Sequence, residues 1–364
     1  MSMNNKLIIV LTTIVALSTG CHNMAERNPY DEDYFDSIRN TRAKGADLGW
    51  LSEMEHDSVL FYDSDMKSAD CMQLLKQLGM NAVRYRVWVN PPGGWSSKED
   101  VIAQCIRAHR QGLRIMIDFH YSDFFADPAK QTKPAEWTEY SFEKLKEAVA
   151  LHTTDVLQTL KDSCVDVEWV QIGNETRNGM LWQDGKLWED TITIPEGWDK
   201  LAALANSGYN AAKAVFPNAK VGVHVDNAFT DNTWWWEHFN KAGGKFDIIY
   251  LSHYPQTQDT VPWQRMNTLC ADNVQHLAEL FGCKVIISEI GTRADQPDTA
   301  AQVMSDYINK MAALECYDGV FYWEPEVYGG WKPAVYDTYG WGSYHMGAMT
   351  DNGQPGKALE ILFR

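Results

Sequence analysis

From about residue 43 onward, short runs of apolar and β-branched residues alternate with longer stretches whose apolar positions recur every three to four residues. That is the pattern of parallel strands joined by crossover helices. Eight runs read as strands: 44–50, 82–88, 114–121, 167–175, 219–226, 247–254, 284–291 and 319–324. Helical periodicity falls over 66–78, 98–111, 142–161, 198–215, 233–241, 274–281 and 299–314, with a last helix at 357–363. Eight strands without a second apolar block predict an α/β fold, one closed (β/α)8 TIM barrel over 43–364, rather than an open sheet.

Seven of the runs end in a polar or aromatic cluster: Arg84/Arg86/Trp88, Asp118/His120/Tyr121/Asp123, Asn174/Glu175, His224/Asp226, His253/Tyr254, Glu289 and Trp323/Glu324. One such ending is ordinary. Repeated at the C-terminal end of successive barrel strands, where active sites of this architecture lie, they imply a polar cleft.

The N-terminus reads as an address. Lys6 precedes an apolar run over 7–17, too short to span a hydrocarbon layer of about 30 Å but suited to a signal-peptide core. The run leads into Ser18-Thr19-Gly20-Cys21, small residues before a cysteine as in a bacterial lipobox. The expected division is a lipoprotein signal peptide over 1–20, lipidated Cys21, and a polar tether over 21–42 ahead of the barrel. An exported protein anchored by its lipid to the bacterial outer membrane follows; a cleaved signal peptide with an incidental cysteine is the alternative. The other six cysteines contain no C-x-x-C pair that would point to zinc or redox chemistry.

A formal net charge of −17 repels phosphate backbones, so no nucleic-acid partner is expected. The 15 Trp and 16 Tyr change the picture more, because aromatic faces stack on the apolar faces of sugar rings.

Glycosidic hydrolysis needs one carboxylic acid to protonate the leaving oxygen and a second carboxylate to act at the anomeric carbon. Glu175 follows the fourth strand and Glu289 ends the seventh, facing each other across the barrel mouth. Glu289 reads as the nucleophile of a retaining enzyme and Glu175 as the acid/base. Arg86 is expected to hold Glu289 ionised, with Arg84 of the same inward parity able to share that role, and Tyr254 to orient it. Asn174 is placed for a sugar 2-hydroxyl. The competing reading has both glutamates as rim carboxylates in salt bridges. His120, His224 and His253 raise a three-histidine zinc site, but they lack H-x-H or H-x-x-x-H spacing; sugar contacts or core hydrogen bonds are preferred.

At these residues the sequence resembles glycoside hydrolase family 53, the arabinogalactan endo-β-1,4-galactanases of clan A. The most specific stretch runs from Asp118-Phe119-His120-Tyr121 through Ser122-Asp123-Phe124-Phe125-Ala126-Asp127-Pro128 to Gln131. Gly45-Ala46-Asp47, Val83-Arg84-Tyr85-Arg86-Val87-Trp88, 170–176, Tyr254-Pro255 and Gly319 to Pro325 match as well. The resemblance implies a clan A barrel with Glu175 as acid/base, Glu289 as nucleophile, and Asp118, His120, Asn174 and Trp323 lining the subsites. It also implies internal cleavage of β-1,4-galactan in type I arabinogalactan and pectin. Relatives often carry a long Asp/Asn-rich calcium loop after the seventh strand; here 291–298 is short with two carboxylates, so neither calcium nor any cofactor is expected.

The expected partners are galactan and galacto-oligosaccharides, with membrane contact through the lipid alone and the protein a monomer. Two other functions remain open. One is another clan A endo-glycanase, a β-mannanase or β-glucanase; the other is a non-catalytic glycan-binding lipoprotein, which would need neither glutamate.

Overall fold

A computed structural model describes residues 30–39, 41–256, 260–333, 335–338 and 345–364. The signal peptide, Cys21 and the upstream part of the tether lie outside the described residues.

Eight parallel strands form the barrel: β1 (Ala43–Asp47), β2 (Ala82–Val87), β3 (Arg114–Phe119), β4 (Trp169–Ile172), β5 (Lys220–Gly222 and, past Val223, His224–Val225), β6 (Ile248–His253), β7 (Lys284–Ile290) and β8 (Tyr317–Trp323). Neighbours pair in chain order. The first stretch of β5 pairs with β4, the second with β6, and β8 with β1, so the sheet closes on itself as the strand pattern predicts.

The helices are α1 (Glu32–Ile38), α2 (Leu51–His56), α3 (Cys71–Leu78), α4 (Lys98–Arg110), α5 (Phe142–Asp162), α6 (Gly197–Val215), α7 (Thr233–Lys241), α8 (Trp263–Phe281), α9 (Pro297–Ala312), α10 (Val335–Thr338) and α11 (Lys357–Phe363). Local chemistry sets where several begin: Asp70, Ser97 and Ser141 each accept a hydrogen bond from the backbone N–H three residues on, satisfying a donor the helix leaves unpaired.

Because side chains alternate across a strand, every second residue points into the barrel. The lower interior is an apolar plug of Ala43, Ala82, Met116, Trp169, Ile248, Tyr250, Ile286 and Phe321. Gly45 makes room for it, since a Cβ there would stand 2.2 Å from the Phe321 ring. The outward residues pack against the helices in a second, larger core.

Four local expectations change. Part of the stretch read as a tether is structured: α1 docks by Phe35, which stacks on His109 at 4.2 Å, and by Tyr34, whose hydroxyl donates to Gly112 O at 3.2 Å. α3 starts at 71 rather than 66 because Ser68–Ala69 pairs with Phe61–Tyr62 in a hairpin and Asp70 then caps the helix. α8 starts at 263 rather than 274; buried Asn267, bonded to Val303 O and Asp306, interrupts the apolar stripe that would have signalled it. Two further hairpins, Gly179–Met180 with Gly185–Lys186 and Trp188–Glu189 with Ile192–Thr193, fill the excursion after β4.

Candidate active site at the C-terminal mouth of the barrel

Following the inward columns upward, the apolar plug gives way to polar groups: Ala82 to Arg84 and Arg86, Met116 to Asp118 and His120, Trp169 to Gln171, Tyr250 to Ser252 and Tyr254. Seated on this layer is a cavity of about 290 Å3 whose wall includes both Glu175 and Glu289.

Glu175 lies past the end of β4, beyond Gly173 at φ +82° and itself at φ +45°, a left-handed turn that swings it out of the strand. The loop after β3 holds this turn. Asn174 Nδ2 donates to Ala126 O at 2.8 Å, and Gln131 Nε2 donates to Asn174 O at 2.8 Å. The long motif running from Asp118 to Gln131 thus has a physical use as the clamp on the Asn-Glu pair.

Glu289 owes its direction to a β-bulge. Ile286 points inward, so simple alternation would send Ser288 into the barrel and Glu289 out. Pairing with β6 instead jumps from Leu251↔Ile287 to Ser252↔Glu289, leaving Ser288 as the extra residue. The bulge re-aims Glu289 at the cavity. There Arg84 Nη2 donates to its Oε1 at 2.9 Å and the Tyr254 hydroxyl to its Oε2 at 2.7 Å.

The two carboxyls are electrostatically unequal. Burial, reinforced by the negative charge of Glu289 and Asp226, pushes Glu175 well above the usual carboxylate range. Burial also raises Glu289, but Arg84 and the Tyr254 hydroxyl favour its ionised form and it reaches only about 7. The proton therefore resides on Glu175 and the negative charge on Glu289.

Of the other residues singled out from the sequence, Arg86, His120, Asn174, Tyr254 and Trp323 reach the cavity wall with the two glutamates. Trp88, Asp118 and His224 do not: they are 1%, 0% and 0% exposed and act from behind. Asp118, expected to line a subsite, instead accepts from Arg84 at 2.7 Å, from Gln171 at 2.6 Å and from His120 Nε2 at 2.9 Å.

The arginine that pairs with Glu289 is Arg84, not Arg86. Arg86 pairs with Glu324 and lies under Trp50, Trp88 and Phe125, 4.3 to 4.9 Å from their ring centres. Ser252, Gln171 and Asp47 were not identified as site residues. Ser252 Oγ lies 2.7 Å from Glu175 Oε1, Gln171 bonds Asp118 and Asn174, and Asp47 accepts from Arg84 at 2.6 Å. Their inward parity with Tyr254, Trp169 and Gly45 was the available signal.

His224 and His120 bond side chains and backbone of the site wall, and His253 bonds Asn267 at 2.8 Å. Among the described residues no group of three or more His, Cys, Asp or Glu is arranged to hold a metal. The two carboxylates of the short loop after β7 are engaged otherwise, Asp295 with Arg293 and Asp298 with Lys357. A larger groove, about 700 Å3, lies between α1 and residues 163–166 and 215–219, at the start of β5 rather than at a strand's C-terminal end.

The family model described as glycosyl hydrolase family 53 matches residues 43–362. An uncharacterized protein from the bgaB 5′ region of Niallia circulans is 35% identical over 70% of this chain and 69% of its own length. The endo-β-1,4-galactanase of Bacillus subtilis strain 168 is 29% identical over 88% of this chain and 85% of its own. A solved fungal β-1,4-galactanase superposes with a TM-score of 0.75 at 26% identity, covering 89% of this chain and 99% of that one. Since the family match takes in every barrel strand and both glutamates of the cavity, the chain belongs to glycosyl hydrolase family 53 and is a glycoside hydrolase.

Proposed function

We propose that the protein is an endo-acting, retaining β-1,4-galactanase that cleaves the galactan of type I arabinogalactan and pectin. The observation that carries this reading is the unequal pair on one cavity: Glu175 kept protonated by burial and neighbouring negative charge, Glu289 kept ionised by Arg84 and Tyr254. Glu175 gives its proton to the leaving glycosidic oxygen while a Glu289 oxygen attacks the anomeric carbon, forming a glycosyl ester. Glu175, now ionised, takes a proton from water as that water attacks the same carbon and frees Glu289. Direct attack calls for carboxyl groups about 5 to 5.5 Å apart. The reaction draws on no cofactor.

The substrate class rests on the galactanase activity named for the relatives, on a strongly acidic chain suited to a neutral polymer, and on Trp323 at the cavity wall, whose indole can stack on a sugar face. The test is to incubate purified protein with potato galactan, xylan, mannan and carboxymethylcellulose and identify the released oligosaccharides. Release from galactan alone is expected; release from mannan or carboxymethylcellulose but not galactan would replace this reading by the other clan A one.

We also propose that the enzyme is exported and anchored through lipid on Cys21, from the apolar run over 7–17 and the small residues preceding that cysteine. Radiolabelled palmitate should be incorporated by the wild type and not by Cys21→Ala.

A further inference from the structure

Double displacement makes Glu175 change protonation state twice in each turnover, so whatever holds its carboxyl must accept a hydrogen bond in one state and donate one in the other. Ser252, on β6, stands in that position. Its Oγ lies 2.7 Å from Glu175 Oε1 and 2.7 Å from His224 Nε2. A hydroxyl carries one hydrogen and can donate to only one of these neighbours at a time.

The far side of the imidazole is equally two-sided. His224 Nδ1 lies 2.9 Å from Asn174 Oδ1, an acceptor, but also 3.1 Å from Gln171 Nε2 and 3.3 Å from the Glu175 backbone N–H, both donors. Turning the amides over does not remove the ambiguity. Asn174 Nδ2 donates to Ala126 O while its Oδ1 accepts from Arg84, and Gln171 Nε2 donates to Asp118 Oδ1. Burial and the nearby Arg84 hold the imidazole neutral, so it carries a single N–H.

Each tautomer then matches one state of Glu175. With hydrogen on Nδ1, His224 donates to Asn174, its Nε2 accepts from Ser252, and Ser252 Oγ is left to accept from protonated Glu175. With hydrogen on Nε2, His224 donates to Ser252, Ser252 donates to ionised Glu175, and Nδ1 accepts from Gln171 and the Glu175 N–H.

Resting on the assignment of Glu175 as acid/base, we propose that Ser252 and His224 are positioning residues forming a reversible brace, in which the direction of the Ser252 hydroxyl and the tautomer of His224 follow the proton on Glu175. The imidazole is fully buried, so the interchange runs through its partners: Ser252 passes its hydrogen to Nε2 and takes another from the Glu175 side of the cavity, one proton leaves Nδ1 toward the cavity past Asn174 and Glu289, and the imidazole ends neutral with Ser252 again carrying one hydrogen. Facing Glu175 are Asp127 beyond β3, Asp226 after β5 and Glu289 on β7; facing His224 are Arg84 on β2, Asp118 and His120 at the end of β3, and Glu289, whose Oε1 lies 4.0 Å from His224 Nδ1.

The test is 15N NMR of histidine-labelled enzyme, His224 being assigned by the signal missing from His224→Gln. In the wild type the protonated nitrogen should change from Nδ1 to Nε2 along the basic limb of the kcat/KM profile. In Glu175→Gln, which does not titrate, the tautomer should not change with pH. A single tautomer throughout in the wild type, or the same change in Glu175→Gln, would overturn the brace. As a kinetic readout, Ser252→Ala removes the donor to the carboxylate and should move the basic limb up by about one pH unit with kcat falling more than KM rises, and Ser252→Thr should restore both. An unmoved limb in Ser252→Ala would also overturn it. Full hydrolysis of galactan by Glu175→Gln would instead remove the acid/base assignment, whatever the tautomer does.

Discussion

Arg84 Nη2 stands 2.9 Å from Glu289 Oε1, and the same guanidinium bonds Asp47 at 2.6 Å and Asp118 at 2.7 Å. One buried cation is therefore shared by the nucleophile and two carboxylates beneath it. Arg84→Met should lower kcat/KM by about a thousandfold, because the nucleophile loses its counter-charge. It should also destabilise the fold by roughly 3–5 kcal/mol in urea titrations, since Asp47 and Asp118 stay buried without it. Arg86→Met, which breaks the pair with Glu324, should cost stability on the same scale but kcat/KM much less. Equal losses of activity in the two variants would contradict the assignment of Arg84 to Glu289.

Tyr254→Phe tests the other hold on Glu289. The hydroxyl donates to the carboxylate and so favours the ionised form; without it the Glu289 pKa rises further above about 7. Activity requires ionised Glu289, so the acid limb of kcat/KM should move to higher pH, by about one unit, with about a tenfold fall in kcat at neutral pH. A profile identical to the wild type would show that Tyr254 does not act on Glu289.

Glu175→Gln should lose most activity on polysaccharide and far less on aryl glycosides with good leaving groups, which need little acid assistance in the first step. Parallel kinetics on galactan and a dinitrophenyl galactoside measure the difference. The same fractional loss on both would argue against Glu175 as the acid.

The two glutamates and Tyr254 were legible from the sequence because each closes an apolar strand run, and position in a barrel follows from that. The choice between Arg84 and Arg86 was not. Both point inward, and what separates them is the attraction of Arg86 to Glu324 just past β8, under an aromatic cover of neighbouring Trp88 and of Trp50 and Phe125 from two distant segments. Glu289 was identified by its place at the strand end, although alternation from Ile286 points it outward; only the bulge at Ser288 brings it in. Ser252 was overlooked because inward parity with Tyr254, its one signal, does not tell a site hydroxyl from a core one until its neighbours are known. Asn267 hid half of α8 for the opposite reason, a polar residue at a buried helical position.

His253 supplies a pH-dependence of stability away from the reacting groups. Burial lowers its pKa from 6.5 to about 4, so between those values the unfolded chain binds a proton that the native state does not. Its contribution is fully present above about pH 6.5 and is lost as pH falls through 4, amounting to about 3 kcal/mol. Urea titrations at pH 7 and pH 4 should show a smaller acid loss in His253→Gln than in the wild type, by about that amount. The same loss in both proteins would mean that His253 is protonated in the native state.

The central claim is that Glu289 attacks the anomeric carbon, and covalent trapping reads it out directly. A 2-deoxy-2-fluoro-β-galactobioside with a dinitrophenyl leaving group should form the glycosyl ester and hydrolyse slowly, and peptide mass spectrometry then locates the adduct. The account predicts one fluorogalactobiosyl group on the peptide carrying Glu289, absent from Glu289→Ala. An adduct on any other residue, or release of the leaving group at the full rate by Glu289→Ala, would contradict it.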